Sequence, residues 1–253
     1  KRTILRNGIF YEIDLSEGVD LGVFLNIKNE KKLFNLKKIL NVKQKLNLLD
    51  IGSNIGSVAL PLSQMYYKSN IYAIEPTFYA FKKLKRNIDL NPRLKKRIKA
   101  LNFMINTDKA TTKVHSSWNF NNHEMKHKIH LGSLKRINTK NIATLDFIIK
   151  KIKKKIDFIK IDVDGFELKV LQSGYLFIKK YKPIIHIEFA PYLHNEFGYT
   201  TDELIFYIQN NLEYNFYDED FKKIDNIREY VKSIKRRSEN FFLINKKNNT
   251  KKK

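Results

Sequence analysis

The 253 residues contain no cysteine, and that absence closes off several chemistries at once. Disulfides, zinc-thiolate sites, cysteine nucleophiles and the cysteine-dependent base methylations are all excluded. Glycine (9) and proline (5) are scarce, so the places where the chain uses them mark sharp turns. No apolar segment approaches the roughly 20 residues of a membrane span. The start, KRTILRNGIFYEIDLSEG, lacks the apolar centre of a secretory signal. A soluble, cytoplasmic chain is the expectation, with a preceding segment left open because the first residue is Lys1 and not Met.

Acidic charge is also in short supply: 26 Asp and Glu face 49 Lys and Arg, for a net charge of +23. Such a surplus ordinarily points to nucleic acid or an anionic surface. Only nine of the basic residues are arginine, however, and arginine's bidentate fork is what phosphate contacts favour. Forty lysines in a chain crowded with isoleucine and asparagine read as a solvated surface ahead of a nucleic-acid footprint. The runs KKIKKK (150–155) and KSIKRR (232–237) are where a nucleic-acid contact would sit.

What is present is a core: 42% of the residues are hydrophobic, enough for one sizeable domain. Short apolar runs alternate with segments of helical period, the sequence form of an α/β domain with a mostly parallel sheet. Strands are expected at 46–50, 71–75, 98–105, 156–162 and 184–189. Phe78, Phe81, Leu84 and Ile88 recur at helical spacing and should form a core stripe before Asn91-Pro92. Phe166, Leu168, Val170, Leu171, Leu176 and Ile178 repeat the pattern ahead of Pro183. Residues 200–211 read as a capped helix, and EYNFYDED and NFFLINKK as an antiparallel pair at one sheet edge. The expected organisation is a strand-pair and helix extension over 1–40, a main domain over 41–246 and a disordered tail over 247–253. The polar segment 115–133, with His115, His123, His127 and His130, reads as a loop and a candidate lid.

The stretch LLDIGSNIGSVALPL (48–62) breaks an apolar run with an acid and two glycines. Asp50 should end a strand and residues 57–62 begin a helix, placing Gly52 and Gly56 in a strand-to-helix turn where a ligand can approach backbone. Glu75, 25 residues on in IYAIEP, ends the next strand, where a carboxylate can take both hydroxyls of a ribose. GSNIGS does not supply the G-x-G-x-x-G of a nicotinamide dinucleotide site. An acid ahead of the glycines suits a cofactor with an amino-acid moiety: Asp50 for the ammonium, the helix N-terminus for the carboxylate. That combination fits S-adenosylmethionine better than a pyrophosphate. The cofactor candidates are thus Asp50, Gly52, Ser53, Asn54, Ile55, Gly56, Glu75 and Pro76, with Asn106, Thr107 and Asp108 for the adenine side.

Taken together, LDIGSNIG, AIEP, TLDFI (144–148), FIKIDVDGFELKVLQSG (158–174) and IIHIEF (184–189) resemble the FkbM-type S-adenosylmethionine-dependent methyltransferases, from about residue 20 to 190. The resemblance implies a class I methyltransferase (Rossmann-like) sheet of seven strands with the last one reversed. It also implies methylation of a hydroxyl on a sugar, glycan or related metabolite. Ser53 stands where the family usually has alanine, Asp164 where it has glutamate, and LEYNFY lacks a usual glycine.

Strand ends in such a sheet share one crevice, so Asp50, Glu75, Asp162 and Glu188 are expected to converge. Asp162 can orient an acceptor hydroxyl, accept its proton, or share a divalent ion with Asp164 or Glu188. Lys160, two residues before it, lies on the same strand face and either pairs with it or snorkels from the sheet end. His194 is a candidate base; His186 is more simply a structural histidine inside its strand. The D-x-D of KIDVDG also admits a metal-bound nucleotide sugar, whereas an EF-hand fails for want of further ligands. Two other readings stay open: an RNA 2'-hydroxyl acceptor, and a non-catalytic basic RNA-binding module on the same scaffold. The acceptor, a metal requirement and the oligomeric state are not fixed by sequence.

Overall fold

A computed structural model describes residues 2–27, 31–107, 113–118, 132–137, 139–234 and 237–247. The chain divides into two compact units, residues 1–104 with 108–142, and residues 105–107 with 143–253.

The first unit opens on a hairpin of β1 (Arg2–Arg6) and β2 (Ile9–Ile13), closed by Asn7 and Gly8 at φ 49° and 78°. Both turn residues are left-handed, the conformation a two-residue hairpin requires and Asn-Gly supplies. Helix α1 (Gly18–Leu25) follows, then tight turns over Lys31–Lys38 that bury Leu33 and Leu36. Three parallel strands come next, in the order β3 (Asn47–Ile51), β4 (Asn70–Ile74) and β5 (Ile98–Leu101). Asp50 lies opposite Ala73, and Ala73 opposite Ala100. Helices α2 (Ala59–Met65), α3 (Phe78–Asp89) and α4 (Pro92–Lys95) connect them, burying Leu60, Leu62, Leu84, Ile88 and Leu94. Strands β3 and β4 are buried on both faces because helical connections cover both sides of a parallel sheet.

Four departures from expectation have physical reasons. The strand foreseen over 98–105 breaks after Leu101 and resumes as β6 (Met104–Ile105), because the Asn102 side chain donates to the carbonyls of Glu75 and Pro76 at 2.8 and 3.0 Å. Phe78 is 73% exposed and not core: α3 turns Ala80, Lys83, Leu84, Asn87 and Ile88 inward, and the first residue of the helix falls outside that stripe. Leu176 is likewise 71% exposed, since its helix buries Phe177 and Ile178 instead. Segment 115–133 is not a simple loop: β7 (Lys113–Trp118) and β8 (Gly132–Arg136) pair antiparallel at its two ends. His115 falls in β7, while His123, His127 and His130 lie outside the described residues, as does most of the 247–253 tail.

The chain crosses between units at β6 and again at β9 (Ile142–Ala143). In the second unit, α5 (Leu145–Ile152) is capped by Thr144, whose side chain accepts from the Phe147 amide. Strand β10 (Phe158–Ile161) pairs parallel with β11 (Ile184–Phe189), and α6 (Glu167–Ser173) and α7 (Tyr175–Tyr181) connect them. After α8 (Pro191–His194), a capping box at Thr200 and Glu203 starts α9 (Thr201–Phe206), which runs into one wide turn at Tyr207–Asn211. Strand β12 (Tyr214–Tyr217), α10 (Ile227–Lys232) and β13 (Glu239–Asn245) complete the unit. Strand β13 runs antiparallel to both β11 and β12, so the reversed hairpin at the sheet edge is present. Phe189, Phe216 and Phe241 meet edge to face at 5.2 to 5.9 Å and fill the core behind it. Within the first unit the strand order is β3–β4–β5, and within the second it is β12–β13–β11–β10. No helix among the described residues is long and apolar enough to cross a membrane.

Candidate active site

In the first unit the glycine turn is bound to the end of β4. The amides of Gly52 and Ser53 both donate to the Ile74 carbonyl, at 3.0 and 2.9 Å, and the Asn54 amide donates to Glu75 Oε2 at 3.0 Å. Ser53 Oγ donates back to the Asp50 carbonyl at 2.8 Å. Gly52 and Gly56 sit at φ +82° and +90°, with Asn54 left-handed between them at 47°. A side chain at Gly56 would also press within 3.0 Å of Leu84 and 3.2 Å of Leu60, so this glycine serves packing as well as the turn. The helix begins at Ala59, two residues later than expected, because Ser57 and Val58 remain in the turn. The amides of Gly52, Ser53, Asn54 and Gly56 are already engaged within the unit.

Glu75 is 6% exposed and its carboxylate is held at both oxygens, Oε2 by Asn54 and Oε1 by the amide and hydroxyl of Thr77 at 2.9 and 2.6 Å. Asp50 is fully buried at the end of the neighbouring strand. Two carboxylates at adjacent strand ends, around a turn with left-handed glycines, fit a ligand that offers an ammonium and a ribose diol, which is the chemistry of S-adenosylmethionine. Pro76 is half-buried and its carbonyl is fixed by Asn102. Asn106 and Thr107 belong to the second unit, where the Asn106 amide donates to Ala143 and its Oδ1 accepts from the Thr107 amide at 2.8 Å; Asp108 lies outside the described residues.

The second unit carries a carboxylate cluster. Asp162, Asp164 and Glu188, all half-buried, place one oxygen each within 4.8 Å of one another. Lys160 Nζ, almost fully buried, donates to Asp162 Oδ2 at 2.7 Å, so the two residues do share a strand face and an ion pair. Burial opposes ionisation of Asp162, but the Lys160 ammonium and hydrogen bonds from Glu188 and Lys160 outweigh it and hold the carboxyl below its usual range. Glu188 goes the other way: burial, then the charges of Asp162 and Asp164, push it well above an ordinary glutamate. Within the pair, a proton is therefore favoured on Glu188 over Asp162. Burial and the same carboxylates push the Tyr192 hydroxyl up to about 12. Hard oxygen donors of this kind could also gather a magnesium or calcium ion.

The two histidines lie away from bulk water. His194 is fully buried, stacks on Tyr199 and shares a 2.8 Å hydrogen bond between Nδ1 and the Thr201 hydroxyl; burial pushes it down to about 4, so it is neutral at pH 7. His186 is 2% exposed, edge-on to Phe242 and 3.6 Å from Glu219, and burial also lowers it.

Sequence reasoning passed over Glu167 and Tyr199. Asp164 and Gly165 are both left-handed, at φ 50° and 101°, and Glu167 Oε1 accepts from the Gly165 amide at 3.2 Å. The Tyr199 hydroxyl lies 2.9 Å from the Gly165 carbonyl and 3.2 Å from Glu167 Oε2, closing a brace under the Asp164 turn. A signal existed: an acid inside the apolar run Phe166 to Leu171. Any side chain at Gly165 would run into the Phe197 ring, so Gly165→Ala is expected to cost about 3 kcal/mol, read as a lowered midpoint in urea.

Burial, with the charges of Asp164 and Asp162 adding, raises Glu167 to about 7 from 4.5. Between those values the folded state keeps a proton that the unfolded chain releases, so this stabilisation is present below pH 4.5 and lost as pH rises through about 7. Wild type should lose on the order of 3 kcal/mol over that span relative to Glu167→Gln, whose neutral amide does not titrate. Urea melts at three pH values check it, and parallel wild-type and variant curves would count against it.

Comparison with known proteins defines first the class and then the family. The METTL16 MTase domain superposes with a TM-score of 0.51 at 13% identity, over 94% of this chain and 74% of that one, and the fold is that of a class I methyltransferase. Residues 50–217 match the family described as Methyltransferase FkbM domain. The chain belongs to this family of S-adenosylmethionine-dependent methyltransferases. The methyltransferase FkbM from Methylobacillus flagellatus KT is similar at 17% identity and a TM-score of 0.49, over 81% of this chain and 45% of that one. The chain thus spans less than half the length of the Methylobacillus protein. The M. jannaschii TYW2 structure, in complex with AdoMet, is similar at 15% identity and a TM-score of 0.47, covering 95% and 83% of the two chains. A search of curated proteins gave no match.

Proposed function

We propose that this methyltransferase acts on a hydroxyl of a sugar, glycan or related metabolite. The observation that carries the reading is the cluster of Asp162, Asp164 and Glu188 beside the buried Lys160. S-adenosylmethionine, when bound, supplies an electrophilic methyl group on a sulfonium. Asp50, the glycine turn and Glu75 are proposed to hold it. Asp162, kept ionised by Lys160, accepts a hydrogen bond from the acceptor hydroxyl and sets the direction of its lone pair. As the new carbon–oxygen bond forms, the hydroxyl proton becomes strongly acidic, so even a carboxylate of low basicity can receive it. The Asp162 and Glu188 pair then carries that proton until water removes it. His194, buried and neutral, packs against Tyr199 and supports this wall of the cluster rather than receiving the proton.

The test is transfer of isotopically labelled methyl from S-adenosylmethionine to a panel of monosaccharides, oligosaccharides and RNA, at two salt concentrations and with or without a chelator. Label on a sugar hydroxyl supports the proposal. Label on RNA 2'-hydroxyls alone, falling steeply with salt, would replace it with the nucleic-acid reading that the lysine surplus allows. Loss of transfer on chelation would assign Asp162, Asp164 and Glu188 to a divalent cation in place of a shared proton.

A further inference from the structure

The glycine turn does not stand on the sheet alone. Its Ile55 carbonyl accepts a 2.9 Å hydrogen bond from Asn87 Nδ2, on the inner face of α3. The other end of the same side chain, Asn87 Oδ1, accepts from the Glu12 amide of β2 at 2.7 Å. Asn87 is completely buried, and its bond to the Ile55 carbonyl is buried with it. Four residues on, between α3 and α4, Asn91 pairs with both backbone groups of Phe10: Oδ1 accepts from its amide at 2.9 Å and Nδ2 donates to its carbonyl at 2.7 Å. Two asparagines four residues apart thus imitate a neighbouring strand along the free edge of β2. Arg86 pairs with Glu12 at 2.7 Å on the solvent side, and Gln64 of α2 donates to the Asn7 carbonyl in the hairpin turn at 3.2 Å. The hairpin is therefore fastened to both helices that flank the turn, and it precedes the segment that matches the family.

We infer that Asn87 is a positioning residue for the cofactor turn, and that the hairpin of residues 2–13 is a working part of the cofactor site. The inference rests on the reading that Asn54, Ile55 and Gly56 hold S-adenosylmethionine. The Asn87 carboxamide has one plane and two ends. With Oδ1 fixed by Glu12, Nδ2 can point only at Ile55, and this fixes the peptide between Ile55 and Gly56 at the place where the backbone is left-handed. Removing the amide leaves the Ile55 carbonyl without this partner and gives the turn other orientations, most of which misplace Asn54 and its bond to Glu75.

The experiment is titration of the full chain with S-adenosylmethionine, wild type against Asn87→Ala and Arg86→Ala. Asn87→Ala should raise the dissociation constant about tenfold. Arg86→Ala, which removes an anchor of the same hairpin without touching the turn, should stay within about twofold. Hydrogen exchange on wild type supplies a reading that needs no variant. If turn and hairpin are linked through Asn87, cofactor binding must slow exchange of the Glu12 amide, because coupling between sites is reciprocal. A folded Asn87→Ala with wild-type affinity overturns the inference. So does a Glu12 amide whose exchange ignores the cofactor, should Asn87→Ala fail to fold. A wild type that binds no cofactor overturns the reading beneath it, and that outcome is recognisable because Glu75→Ala would then change nothing either.

Discussion

Asp162→Asn should lower turnover about a thousandfold while leaving the affinity for S-adenosylmethionine within about twofold. Asparagine keeps the shape of the side chain but cannot receive a proton, and its amide cannot neutralise Lys160. The 2.7 Å ion pair becomes a single hydrogen bond, and a nearly buried ammonium loses this counter-charge. Circular dichroism and a urea melt therefore accompany the kinetics, and Lys160→Met in the same background restores the charge balance. If the double variant regains stability but not turnover, Asp162 acts on the acceptor. Recovery of both would mean that Asp162 serves only to keep Lys160 neutralised, and the proposed role would be lost.

The second large effect is on binding. Glu75→Ala should weaken the cofactor about a hundredfold, measured by equilibrium dialysis with labelled S-adenosylmethionine. Two losses combine: the carboxylate proposed for the ribose, and the bonds that fix the turn, since Glu75 holds the Asn54 amide and both donors of Thr77. Glu75→Gln separates them. Its single amide oxygen can still accept either from the two Thr77 donors or from the Asn54 amide, so the variant should fall between wild type and alanine. An alanine variant that is well folded and binds as wild type does would remove Glu75 from the cofactor site.

Much of this fold is legible because its determinants are local. Strand β11 falls on the residues foreseen, 184–189, where an apolar run is bounded by Pro183 and Ala190. The β1–β2 pair, the capped helix at Thr200 and the reversed edge hairpin also follow from turn residues, caps and alternation close in sequence. Phe78 and Leu176 mislead because helical spacing identifies a stripe and not its edges; each sits in the first turn of its helix. In the site, Asp162, Asp164, Glu188 and Lys160 were readable as a group, since strand ends gather acids in a parallel sheet. Asn87 was not, because its meaning comes from Glu12 and Ile55, 75 and 32 residues distant. Tyr199 and Asn102 share that property: each supports a loop that it does not belong to.

Calorimetric titration of the wild-type chain with S-adenosylmethionine, repeated with its demethylated product, tests the central claim most directly. Saturable one-to-one binding of both, with dissociation constants on the order of micromolar, is the result expected of Asp50, the glycine turn and Glu75 acting as a cofactor site. No binding of either ligand by a folded chain would contradict it, and would turn attention to nucleotide sugars with manganese at Asp162 and Asp164.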